Sequence, residues 1–147
     1  MKDEPIVIER VYNAPTDVVW HALTDLEKMR QWYFPGLVEF EPEIGFETRF
    51  DVENDGKVYP HIWKITEVDP GRTISYEWKF GRYPGDSVVS FELFSENDGT
   101  RIVLTHRGIE SFRGDLHPDL AKHNFVDGWT YFIGTALKKF VEQQTEE

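Results

Sequence analysis

Two histidines sit within alternating apolar segments, and they are the residues best placed to do chemistry. His61 alternates with Trp63 and Ile65, and His106 alternates with Ile102 and Leu104 just before Gly108. Alternate residues of a strand share a face, so each imidazole is expected to point with its apolar neighbours. A histidine so placed can orient a ligand by hydrogen bonding or titrate near neutral pH. Aromatic residues are abundant: 15% of 147 residues, as 11 Phe, 6 Tyr and 5 Trp. Ile74, Tyr76, Trp78 and Phe80 share one face of one segment, and Val89, Phe91 and Leu93 share a face of the next. If these faces meet the C-terminal segment, Tyr76, Trp78, Phe91, His106, Trp129 and Phe132 enclose one volume. Small-molecule pockets are typically apolar and aromatic, with a few placed polar groups. The competing expectation is that the rings simply fill the core.

Other chemistries lack their patterns. There is no cysteine, which removes disulfides and thiolate metal sites. His21, His117 and His123 form no His-x-x-x-His or Glu-x-x-His pair, so no metal is expected. Ser111 has no glycine-flanked nucleophile elbow, and Gly81-Arg82-Tyr83-Pro84-Gly85 lacks the lysine and spacing of a phosphate loop. No cofactor and no catalytic residue is expected. Glu47, Asp51 and Glu77 fall opposite the apolar positions, facing solvent, and Arg49 with Glu47 reads as a surface pair worth little.

Two loops carry apolar weight. Ile109, Phe112 and Leu116 make the 108–118 loop either a lid or an anchor on the sheet edge. Trp32-Tyr33-Phe34-Pro35 forms an opposite rim or a packed corner. The expected ligand-binding set is therefore Trp32, Phe34, His61, Trp63, Tyr76 and Trp78, with Phe91, His106, Phe112, Trp129 and Phe132. His106 is its foremost polar member, near the expected cavity mouth.

Acidic residues outnumber basic ones, 27 to 16, for a net charge of −11. Such a surface repels phosphate backbones and anionic membranes, so nucleic-acid and membrane partners are not expected. The charge serves solubility. The N-terminal Met1-Lys2-Asp3-Glu4-Pro5 has no apolar stretch of a signal peptide, and no run of about 18 apolar residues occurs. A cytoplasmic protein is expected, with 1–147 as one domain ordered over about 5–142.

The elements that must position these residues follow from periodicity and punctuation. Ile6–Tyr12 is strand-like and stops at Asn13-Ala14-Pro15, where Pro15 suits a helix start. Val18, Val19, Ala22 and Leu23 recur at helical spacing. Thr24 or Asp25 caps a second short helix through Trp32, which Pro35-Gly36 ends. Strands then follow over Phe46–Val52, Lys57–Val68, Thr73–Phe80, Ser87–Phe94 and Thr100–Arg107. Turn signals separate them: Asn54-Asp55-Gly56, Asp69-Pro70-Gly71-Arg72, Tyr83-Pro84-Gly85-Asp86 and Glu96-Asn97-Asp98-Gly99. Connections this short require antiparallel pairing. From Pro118 onward, Leu120, Phe125, Trp129, Phe132, Ile133, Ala136, Leu137, Phe140 and Val141 mark a long amphipathic helix. Gly128 and Gly134 weaken it by roughly 1 kcal/mol each, which suits a close neighbour or space left beside the helix.

The motifs Ala14-Pro15-x-x-x-Val19-Trp20-x-Ala22-Leu23-Thr24-Asp25, Met29-x-x-Trp32 and Ile65-x-Glu67-Val68-Asp69-Pro70-x-Arg72 occur in this order. Tyr76-x-Trp78, Gly99-Thr100-Arg101-x-x-Leu104-x-His106 and Gly128-Trp129-x-x-Phe132 follow. Together they resemble the START-like (SRPBCC) superfamily, and within it proteins related to the C-terminal domain of the activator of the heat-shock-protein-ninety ATPase. The resemblance implies an α+β helix-grip fold, a curved antiparallel sheet wrapped around a long C-terminal helix, with two short helices after the first strand. It also implies a cavity between sheet and helix for a small hydrophobic or amphipathic molecule. The alternatives are an interaction module that modulates a chaperone ATPase, with a chaperone or other protein as partner, and a cyclase- or hydrolase-type enzyme using the same cavity. An interaction module predicts a sealed interior, whereas a ligand binder predicts an open one.

Overall fold

The computed structural model describes residues 4–54 and 56–144, so Asp55 of the expected hairpin turn lies outside the described residues. β1 (Ile6–Tyr12) buries Ile6, Ile8 and Tyr12. Pro15 takes the extended position before α1 (Thr16–Thr24), which buries Val19, Ala22 and Leu23. The Asp25 carboxylate accepts from the Lys28 backbone N–H at 3.2 Å and starts α2 (Leu26–Trp32). The cap satisfies one of the donors that a helix start leaves free.

β2 (Glu47–Asn54), β3 (Lys57–Asp69), β4 (Thr73–Phe80), β5 (Ser87–Glu96) and β6 (Gly99–Arg107) form an antiparallel meander, and β1 pairs with β6. The six strands lie in the order β1-β6-β5-β4-β3-β2. Asn97 and Asp98, the two residues between β5 and β6, both have positive φ, the hairpin geometry that suits Asn and Asp. A bulge between Ile65 and Glu67 shifts the β3–β4 register and adds local twist. The alternation predicts the inner face correctly: Tyr59, His61, Trp63 and Ile65 are buried on β3, and Ile74, Tyr76, Trp78 and Phe80 on β4.

The C-terminal helix begins later than its periodicity suggests. Pro118–Leu120 forms only a 3₁₀ turn, because Ala121 is extended (ψ 149°). The helix then runs through α3 (Lys122–Tyr131), a π turn (Phe132–Ala136) and α4 (Leu137–Gln144). At the π turn the Tyr12 hydroxyl donates to the Ile133 carbonyl, tying β1 to the middle of the helix. A Cβ on Gly134 would come within 3.3 Å of the Arg10 guanidinium, the end of an exposed side chain that can move aside. The result is an α+β helix-grip architecture in which the helix covers the concave sheet face.

The 108–118 loop is held down. Ile109 and Phe112 are buried, while Leu116 is 63% exposed and contributes no apolar anchor, contrary to its expected role. Ser111 Oγ accepts from the Asp86 N–H at 2.9 Å and lies 2.6 Å from the Gly108 carbonyl and 2.8 Å from that of Asp86, between which its single proton is shared. Gly85 lies under this knot, at φ 102°, where a Cβ would meet the Ser111 carbonyl oxygen at 2.5 Å. Gly85→Ala should therefore cost more than about 2 kcal/mol in urea unfolding, because left-handed strain and a backbone clash add. A loss below about 0.5 kcal/mol would show that the loop yields freely.

Candidate functional site

The aromatic interior divides into a sealed core and an open cleft. Tyr33 organises the sealed part. Its ring stacks on Trp32 at 4.5 Å and on Trp63 at 5.4 Å, and its hydroxyl pairs with that of Tyr76 at 2.8 Å. Burial pushes both phenols well above their ordinary pKa. The Trp32 indole donates to the Ala22 carbonyl at 2.7 Å, fixing the corner after α2. Phe91 packs between Tyr76 and Trp129, and Phe112 stacks on Phe125 beneath Phe80. Trp63, Tyr76, Phe91 and Phe112 therefore fill the core and do not line the cleft, while Trp32, also outside the cleft, borders a separate surface pocket with Tyr131 and Phe140.

His106 needs the same correction. It is fully buried, with both ring nitrogens engaged. The Trp129 indole N–H donates to Nδ1 at 3.0 Å, so Nδ1 carries a lone pair. The proton is then on Nε2, which donates to Ser87 Oγ at 2.8 Å, and Ser87 donates to the Trp78 carbonyl at 2.7 Å. Every group in this chain has one direction open to it. Burial lowers the His106 pKa to about 3, and the ring is a structural link between helix and sheet.

The cleft lies beside this core, between the β2–β3–β4 end of the sheet and the start of the helix. Its volume is about 250 Å³, and its apolar walls include Phe34, Trp78, Phe80, Leu120 and Phe125. A narrower inner limb of about 80 Å³ shares Phe34, Trp78, Asn124 and Phe125 and adds Gly128, Trp129 and Phe132. Of the expected site residues, Phe34, His61, Trp78, Trp129 and Phe132 line this space. Gly128 leaves room: a Cβ there would meet nothing within 4 Å.

His61 is the polar group inside the cleft. Its Nδ1 lies 2.8 Å from the Tyr59 carbonyl, which only accepts, so Nδ1 holds the proton and Nε2 the lone pair. Phe34, Phe50, Trp78 and Phe80 surround the ring at centroid distances of 4.8 to 5.4 Å. Burial lowers its pKa to about 4, against smaller raising effects of the Tyr59 carbonyl and Asp51. The imidazole is neutral at pH 7.

The mouth is polar. Exposed Asp119 accepts from the Tyr59 hydroxyl and from Lys57 Nζ at 3.3 Å, and these partners hold its carboxyl below the usual range. Asn124 donates to the carbonyls of Pro118 and Asp119 at 3.0 and 3.2 Å. Sequence reading missed Asp119, Leu120 and Asn124, because it drew one helix through Ala121. Tyr59 and Phe80 share the parity of His61 and Trp78, a signal that was available. Among the described residues, no group of three or more His, Cys, Asp or Glu could hold a metal ion, and no helix is long and apolar enough to cross a membrane.

The sequence profile of the Activator of Hsp90 ATPase homolog 1-like proteins matches residues 13–142. The chain belongs to this family. No curated protein matches it. Its fold is similar to that of a Chromobacterium violaceum protein (TM-score 0.80, 21% identity, 97% of this chain and 99% of that one). It is likewise similar to a Mesorhizobium loti protein (0.74, 27%, 95% and 98%) and to the Aha1 dimer of Colwellia psychrerythraea (0.72, 17%, 96% and 98%). In this member of the Activator of Hsp90 ATPase homolog 1-like family, the two inward histidines have different fates: one is sealed and one faces open space.

Both histidines are neutral when folded and titrate near 6.5 when unfolded. Between pH 6.5 and these lowered values the unfolded chain binds more protons, so stability falls as pH falls. The slope is about 1.4 kcal/mol per pH unit for each histidine. In urea unfolding between pH 6 and 5, His106→Gln should flatten the slope by about that amount. Equal slopes in the variant and the native protein would contradict the buried neutral state.

Proposed function

We propose that the chain binds a small apolar or amphipathic molecule in the cleft between the sheet and the C-terminal helix. The observation that carries this reading is the open space of about 250 Å³ with aromatic walls and a polar mouth. An interior this rich in rings could have been filled completely, as the Tyr33 cluster is. Here Phe34 and Trp78 instead form walls, and Gly128 withholds a side chain from the inner limb. Pockets of this kind take ligands by burying apolar surface, with a few polar groups setting orientation. The interaction-module reading calls for a sealed interior and is less well supported on this point. An enzyme of the cyclase or hydrolase type would need His106 or a cavity carboxylate; His106 has no free nitrogen, and the cleft carboxylate, Asp119, is engaged by Tyr59 and Lys57.

Native mass spectrometry of the purified protein tests for a molecule already bound, and 2-naphthol serves as a defined probe. At about a hundred times its Kd a ligand adds about 2.7 kcal/mol to stability, so Tm should rise by several degrees. Gly128→Phe places a ring larger than the inner limb among Phe34, Trp78 and Phe125. This variant should keep its circular dichroism spectrum and bind the probe about tenfold or more weakly. Unaltered binding in Gly128→Phe would place the probe elsewhere and overturn the reading.

A further inference from the structure

We propose that the cleft is selective for a neutral aromatic alcohol, whose hydroxyl donates to His61 Nε2. The inference rests on the ligand-binding reading above and adds the chemical class of the ligand. One polar atom of the cleft lining lacks a partner among the described residues. Nδ1 of His61 is committed to the Tyr59 carbonyl, which leaves the lone pair on Nε2, the ring atom farthest from the backbone. Trp78 stands 5.4 Å from this ring and also lines the cleft, but its indole nitrogen is fully buried and offers the cleft its ring alone.

A lone acceptor among aromatic walls is best answered by a neutral donor, and a hydroxyl supplies one without bringing a charge. A hydrocarbon occupant leaves Nε2 unpaired in an apolar site, which is costly. A carboxylate has nothing to donate to Nε2. It would also sit near Asp119 at the mouth and within the field of Asp51. A cation gains little here, because the charge of Asp119 is already paired with Lys57. The aromatic part follows from the walls: Phe34, Trp78 and Phe80 present edges and faces that pack well on another ring. The volume of about 250 Å³ lies below the roughly 300–1,000 Å³ of drug-sized pockets, which points to a one- or two-ring molecule.

The test compares 2-naphthol, naphthalene and 2-naphthoate at pH 7 by quenching of tryptophan fluorescence, in the native protein and in His61→Phe. In the native protein 2-naphthol should bind about tenfold or more tightly than either other probe. His61→Phe keeps a ring of similar size and removes the acceptor. It should bring 2-naphthol down to the affinity of naphthalene while leaving naphthalene within about threefold. If naphthalene or 2-naphthoate binds the native protein as tightly as 2-naphthol, the hydroxyl inference is overturned and the cleft reading stands. If none of the three binds, the cleft reading itself fails. Should His61→Phe not fold, the comparison in the native protein decides alone.

Discussion

The fold depends on how the C-terminal helix is held against the concave face of the sheet. The helix buries Trp129, Ile133, Leu137 and Val141, an apolar contact that carries little directional information. Direction comes from one buried hydrogen-bond chain, running from Trp129 through His106 and Ser87 to the Trp78 carbonyl. It links α3 to β6, β5 and β4 in sequence. Burial removes water as a competing partner, so breaking any link leaves an unpaired polar group inside the core. The Tyr12 hydroxyl on the Ile133 carbonyl makes a second tie at the π turn. With these two ties the helix has a fixed rotation, and the residues before Trp129 face a fixed part of the sheet.

The cleft is a consequence of that placement. In the turn leading to Trp129, the helix presents Phe125 and Gly128 rather than a continuous ridge of large side chains. Opposite them, the strand pairing sets His61 across from Phe80 and Trp63 across from Trp78. The Tyr33 cluster fills the space toward α2, which leaves the β2–β3 end unfilled. There the 3₁₀ turn before the helix brings Asp119 to Tyr59 and Lys57, so the opening carries charge while its walls are apolar. The same physics explains the division between the histidines. His106 meets two partners and is consumed by structure, whereas His61 spends one nitrogen on its own strand and keeps the other.

Much of this was legible in the residues. Two-residue alternation on β3 to β6, and Gly, Pro, Asn and Asp at the turns, are local signals, and they placed the inner face correctly. The order of motifs carried the helix-grip topology. The division of the interior was not legible, because alternation assigns a face and says nothing about which rings on that face meet. Trp63 and Trp78 have the same parity and similar chemistry, yet one is packed under Tyr33 and the other forms a wall. His106 was expected at a mouth because it ends a strand before Gly108; Trp129 and Ser87 close on it only through tertiary packing. The break at Ala121 was hidden because Leu120 fits the helical spacing, and with it went Asp119 and Asn124.

The account turns on opposite protonation of two neutral imidazoles, and a long-range ¹H–¹⁵N spectrum of the histidine side chains at pH 7 reads it directly. His106 should be the Nε2–H form and His61 the Nδ1–H form, and addition of 2-naphthol should shift the Nε2 resonance of His61 while leaving His106 in place. The same tautomer at both positions, or a ligand-induced shift at His106 without one at His61, would contradict the division of the interior into a sealed core and an open cleft.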